Sequence, residues 1–166
     1  SADIAVSIHG GDPVASDSFT IVNGATTATV TETTATVTGT EPTSFTGIES
    51  LIVNGTGALI LQGGASDDLI AVSTTTRTAR INAGPTVSFP NITAVTADGQ
   101  ASVNDLVQVT GSPAGDAITV SRGATTTVTG LGGVTVSVAA ANSESLLISG
   151  GLGDDTFTVS GSGGPA

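Results

Sequence analysis

The 166-residue chain contains no cysteine, methionine, tryptophan or tyrosine, and no lysine. Without cysteine there are no disulfides, no thiolate metal sites and no thiol nucleophile. Its only cations are Arg77, Arg80 and Arg122, with a single histidine, His9, against a net charge of −11. Three cations cannot neutralise a run of phosphates, so no nucleic-acid partner is expected. Anionic membrane surfaces are excluded on the same ground. No apolar run approaches the ~18 residues of a transmembrane helix, so no membrane insertion is expected. One histidine and no lysine also leave little for catalysis. A Ser-His-Asp set would have to use His9, in a Gly-rich stretch near the N-terminus. Neighbouring acids such as Asp67 and Asp68 point to opposite faces of a strand and do not make a glycosidase pair. The chain is therefore read as non-enzymatic.

What is abundant is Thr, Gly, Val, Ala and Ser. β-Branched residues favour strands, and 23 glycines call for many turns. Period-two alternation runs throughout. Phe19 and Ile21, Ile118 and Val120, and Phe157 and Val159 face one way, with Thr20, Thr119 and Thr158 facing the other. Val134, Val136 and Val138 alternate with Thr135 and Ser137. No stretch carries a helical stripe.

Three windows align without gaps: residues 61–72, 109–120 and 148–159. Each reads apolar, x, Gly, four variable residues, Asp, x, apolar, x, Val. The starts lie 48 and 39 residues apart. A looser copy spans Ile8 to Ile21, with two extra residues in the turn. Gly24-Ala25-Thr26-Thr27 returns as Gly123-Ala124-Thr125-Thr126, and Ile48-Glu49-Ser50-Leu51 resembles Ser143-Glu144-Ser145-Leu146 in its Glu-Ser-Leu core. Ile92 to Gly99 is a weaker third member of that set. About three repeats, near 17–67, 68–115 and 116–154, with partial copies at both ends, make one β domain over residues 1–160. Residues 161–166 form a Gly/Ser-rich tail.

Single repeats of this size cannot bury an apolar face alone, but stacked copies can. The expected fold is all-β, a repeat-built β-solenoid or parallel β-helix. The alternative is an antiparallel β-sandwich with an exchanged strand, because Asn23-Gly24 and Asn54-Gly55 are also hairpin dipeptides.

The segment Gly150-Gly151-Leu152-Gly153-Asp154-Asp155-Thr156-Phe157-Thr158 resembles the nonapeptide of RTX (haemolysin-type) repeats. Gly47-Ile48-Glu49-Ser50-Leu51, followed by Gly63-Gly64-Ala65-Ser66-Asp67-Asp68, is similar to units of very large secreted bacterial surface proteins. The resemblance implies coil stacking, secretion to the extracellular space or cell surface, and calcium as cofactor. Asp67, Asp68, Asp116, Asp154 and Asp155 would be its ligands. The departures are that Ser66 and Pro113 break the glycine pattern and that each copy stands alone rather than in tandem. The alternative for these acids is turn capping through their own backbone.

Two roles follow. One is a structural subunit of an extracellular filament or surface layer, associating head to tail with copies of itself. Ile4, Val6 and Ile8 at one end, and Phe157 and Val159 at the other, would form the contact. The other is a spacer or adhesin segment of a giant surface protein with calcium-stabilised repeats. The chain opens on Ser1 rather than Met, which reads as a processed protein or a piece of a longer one. Contact with carbohydrate or a cell surface is a further expected partner class.

Overall fold

A computed structural model describes residues 5–11, 16–102, 104–139 and 141–161. Ile4 lies outside them. Seventeen strands and no helix are present among the described residues, so none contains a helix long and apolar enough to cross a membrane. The strands form a β-solenoid of about 4 turns.

The chain begins with β1 (Val6–His9) and β2 (Ser18–Gly24), and then three five-strand units follow. The first holds β3 (Ala28–Val30), β4 (Thr34–Val37), β5 (Thr43–Thr46), β6 (Ser50–Gly55) and β7 (Leu59–Gln62). The second holds β8 (Leu69–Ser73), β9 (Thr78–Ile81), β10 (Thr86–Ser88), β11 (Ala94–Asp98) and β12 (Leu106–Thr110). The third holds β13 (Ala117–Ser121), β14 (Thr125–Leu131), β15 (Val134–Ala139), β16 (Ser145–Ser149) and β17 (Thr156–Ser160).

Two sheets face one another across the core. The larger runs β1-β5-β4-β3-β7-β11-β15-β14-β13-β17, and the smaller runs β2-β6-β10-β9-β8-β12-β16. Each unit opens with a three-stranded antiparallel meander in one sheet, crosses to the other for its fourth strand and returns for its fifth. The meander lies in the larger sheet in the first and third units and in the smaller sheet in the second. Pairings between coils are parallel, and those inside meanders are antiparallel. Solenoid and hairpin features therefore coexist. The Asn-Gly dipeptides, however, do not make the hairpins. Asn23-Gly24 and Asn54-Gly55 close strands at corners between the sheets. A two-residue hairpin turn falls instead at Gly132-Gly133, with φ of 59° and 79°, the left-handed pair that such a turn requires.

Alternation places apolar side chains in continuous inward rows. Across the smaller sheet one row is Phe19, Leu51, Val87, Ala79, Val72, Val109 and Ile148. Across the larger sheet Ala28, Leu59, Val95, Val136, Val128, Val120 and Val159 form another. These rows join in a single core. Phe89 and Ile92, both fully buried, fill the corner between β10 and β11. Leu51→Ala should cost about 2–5 kcal/mol, because neighbours in a fixed row cannot collapse into the gap. Thermal melting of the variant checks this, and a loss under 1 kcal/mol would mean the row is not close-packed.

Candidate functional site

Two features stand apart from the core: a ladder of acidic turns along the coil, and the open last coil.

The ladder arises where a turn delivers the chain into a strand. Seven times the sequence reads acid, x, apolar, x, Ile or Val, starting at Asp17, Glu49, Asp68, Asp105, Asp116, Glu144 and Asp155. The acid's backbone N–H donates to the carboxylate of the acid one coil further on. The bonds are Asp17 to Glu49 at 2.8 Å, Asp68 to Asp105 at 2.7 Å, Asp105 to Glu144 at 2.9 Å and Asp116 to Asp155 at 2.9 Å. The next coil answers through its backbone: Ser50, Leu106, Ser145 and Thr156 donate to the carbonyls of Asp17, Asp68, Asp105 and Asp116.

Three of the carboxylates also close their own turns. Asp17, Asp68 and Asp116 accept the amides of Gly11, Gly64 and Ser112 at 2.6, 2.6 and 2.7 Å. This explains the glycine of the motif. A Cβ on Gly111 would lie 2.6 Å from Asp116 Oδ2, and Cβ atoms on Gly63 and Gly150 would strike the carboxylates of Asp68 and Asp155. Only glycine leaves room for the acid to fold back. The equivalent turn at Asp105 differs. Gln100, at a φ of 72°, donates its amide to Asp98 instead, and Asp105 Oδ2 is buried without a partner.

The residues expected to bind calcium are distributed along this ladder. Asp68 and Asp116 are buried. Asp68 also accepts from Asn82 Nδ2, and Asp116 from Ser112 Oγ. Asp67 is exposed and bonds Ser102 and Asn104, apart from the partners of Asp68. Asp154 is exposed, and Asp155 takes the Asp116 amide. Among the described residues no three acids or histidines converge on a common point. Asp67, Asp68, Asp116 and Asp155 accept from N–H and O–H donors, as turn-capping acids do. Sequence reading singled out four of the ladder turns, the looser copy at Asp17 among them, and missed Glu49, Asp105 and Glu144 as members. The shorter pattern of acid, x, apolar, x, Ile or Val marks all seven.

The second feature is the last coil. Leu146 and Ile148 of β16 are half-buried, while Phe157 and Val159 of β17 are 50% and 66% exposed although they face inward. With Val120 and Val138 they line an opening of about 670 Å³ into the solenoid interior. At the opposite end, Val6 is exposed and Ile8 and Phe19 are partly buried. Phe19 packs on Phe45 with ring centroids 6.3 Å apart. His9 is exposed and bonds Thr46 at 2.8 Å. Thus the expected contact residues do sit at the two ends of the stack, Ile4 being outside the described residues.

No family model, curated protein or solved structure matches the chain.

Asp116→Ala should destabilise the fold by about 1–3 kcal/mol, since it strips acceptors from the Ser112 amide and hydroxyl. Asp154→Ala, one residue from the ladder acid Asp155 and with no side-chain bond among the described residues, should stay within about 0.5 kcal/mol of wild type. Denaturant unfolding of both variants measures the contrast, and equal losses would show that charge rather than bonding matters at these turns.

Proposed function

We propose that the chain is a structural, non-catalytic subunit of an extracellular filament or surface layer, assembling head to tail. The observation that supports this is the uncovered inward face of the last coil. Phe157, Val159, Leu146 and Ile148 continue the core rows but have nothing stacked on them among the described residues. Covering such side chains is worth about 1.5–3 kcal/mol each when complete, and the free strand edge offers a row of backbone donors and acceptors beside them. The contact is heterologous, so it builds an open fibre rather than a closed dimer.

A second reading has its own support. The turn from Gly150 to Asp155 keeps the full Gly-and-acid signature of the internal turns and no capping residues. In that reading the next coils belong to the same polypeptide, and the chain is a spacer or adhesin segment of a giant secreted surface protein. The mass of the native polypeptide separates the two.

The acids act here by bonding turns together rather than by holding ions. Melting curves in calcium and in chelator should therefore coincide. A rise of several degrees with calcium would restore the ion to the account, through preferential binding to the folded state.

Purified chain should form sedimenting fibres visible by electron microscopy. Phe157→Asp with Val159→Asp should abolish them and leave the β-rich circular dichroism spectrum intact. A wild-type chain that stays monomeric at high concentration, with or without calcium, would overturn the subunit reading.

A further inference from the structure

The strand order fixes how one copy can sit on the next. Wherever the chain crosses once to the opposite sheet and returns, it climbs three places. β1 and β3 lie three apart in the larger sheet, as do β5 and β7, β11 and β13, and β15 and β17. In the smaller sheet β6 and β8, and β10 and β12, do the same. Meanders fill the skipped places. Because meanders alternate between sheets, the two sheets of this chain hold ten and seven strands.

Consider a second copy placed with the same sheet facing the same way. Its β1 would follow β17, but its β2 would then lie four strand places beyond β16, with three left empty. The smaller sheet would carry a hole one meander wide. A half-turn about the solenoid axis removes the hole. The step from β1 to β2 and the step from β16 to β17 are the same single crossing, so after the half-turn β1 lies on β16 and β2 lies on β17 together.

The sequence matches this placement residue by residue. β12–turn–β13 already stacks on β16–turn–β17, with Val109 on Ile148, Ile118 on Phe157 and Val120 on Val159. There the Gly111 amide donates to the Ser149 carbonyl, and the Asp116 amide to Asp155. β1–turn–β2 carries the same signature: Ile8, Gly10, Asp17, Phe19 and Ile21. It meets its own following coil in the same manner, with the Gly10 amide on the Thr46 carbonyl and the Asp17 amide on Glu49. Among the described residues the Asp155 amide has no partner.

Building on the head-to-tail reading, we propose that successive copies join by a half-turn screw, with β16 parallel to β1 and β17 parallel to β2 of the next copy. Phe157 meets Phe19, Val159 meets Ile21 and Ile148 meets Ile8, while the Asp155 amide takes the next copy's Asp17 as its ladder acceptor. The occupant of the open coil is thus a second copy, and each sheet of the fibre alternates ten strands of one copy with seven of the next.

Paired cysteines test the phase, because the chain has none of its own. Thr158 and Thr20 face outward on β17 and β2 and would stand opposite each other across the joint, within disulfide range. Within one copy they lie at opposite ends of the stack. T20C/T158C should give a ladder of disulfide-linked oligomers on oxidation, and T158C alone should give none. Helical reconstruction should show a rise of about 40 Å per copy, from eight and a half strand spacings, against about 48 Å for stacking in phase. Linking by S7C/T158C in place of T20C/T158C, or a rise near 48 Å, would overturn the half-turn and leave the fibre standing. Linking by T158C alone would overturn the head-to-tail polarity. A Cys-free chain that sedimented as a monomer would overturn the joint and the subunit reading together.

Discussion

The fold depends on the requirement that successive turns superpose. Parallel strands pair only with neighbours that arrive in the same direction, so each corner of the coil must repeat the last, one strand spacing away. The backbone groups of those corners have no ladder of their own and must be satisfied by something. Here the acids at the strand entries do it: Asp68 and Asp116 accept an amide of their own turn, and Asp105 and Asp155 accept the amide of the preceding coil. Glycine is the necessary companion, since any Cβ would occupy the space of the carboxylate. The repeat is thus one steric and hydrogen-bonding solution, and the apolar rows inherit their register from it.

A three-place climb has a second consequence. A plain coil with that pitch would leave two empty places per circuit in each sheet. Hairpins are the economical filling, because antiparallel strands need only short connections. This is why antiparallel meanders occur inside an otherwise parallel solenoid, and why they alternate sheets: each meander drops the chain back, so the next forward step starts from the opposite side. The β-bulge between Val128 and Leu131, with Gly130 packed against the Ala117 carbonyl, lies in the longest meander. There an extra residue is absorbed without shifting the inward row.

Much of the coil was legible in the sequence, because alternation and the Gly-and-acid spacing are local. Phe19 and Ile21, Ile118 and Val120, and Val134 to Val138 all point as their period-two pattern indicates. The meanders were not legible. Gly24 to Thr27 and Gly123 to Thr126 look alike, yet the first turns a corner between sheets and the second lies in a hairpin turn and the strand after it. What distinguishes them is which strand lies beside them in space, and four residues do not encode that. The unequal spacing of the windows, 48 and then 39 residues, has the same origin. The first window crosses from the larger sheet to the smaller and the other two cross back, so the first interval holds a strand more, β11, besides its meander. The roles of Glu49, Asp105 and Glu144 were hidden because their glycine partners are displaced or replaced.

Stacking acids on acids carries an electrostatic cost, and the architecture limits it. Like charges one strand apart repel, and each is offset by a backbone N–H aimed at it. Donors of this kind are available only where one turn lies on another. The ladder accordingly runs in short stretches: Asp17 with Glu49, Asp68 with Asp105 and Glu144, and Asp116 with Asp155. The second-unit meander ends the first stretch, and β10 rather than another acid turn meets Glu49 there, through the Thr86 amide. A chain with three arginines and no lysine has no cations to spare for this task. Backbone amides take their place, which binds charge compensation to the fold itself: the acids are tolerable only while the coils remain stacked, and the coils stack because the acids are there.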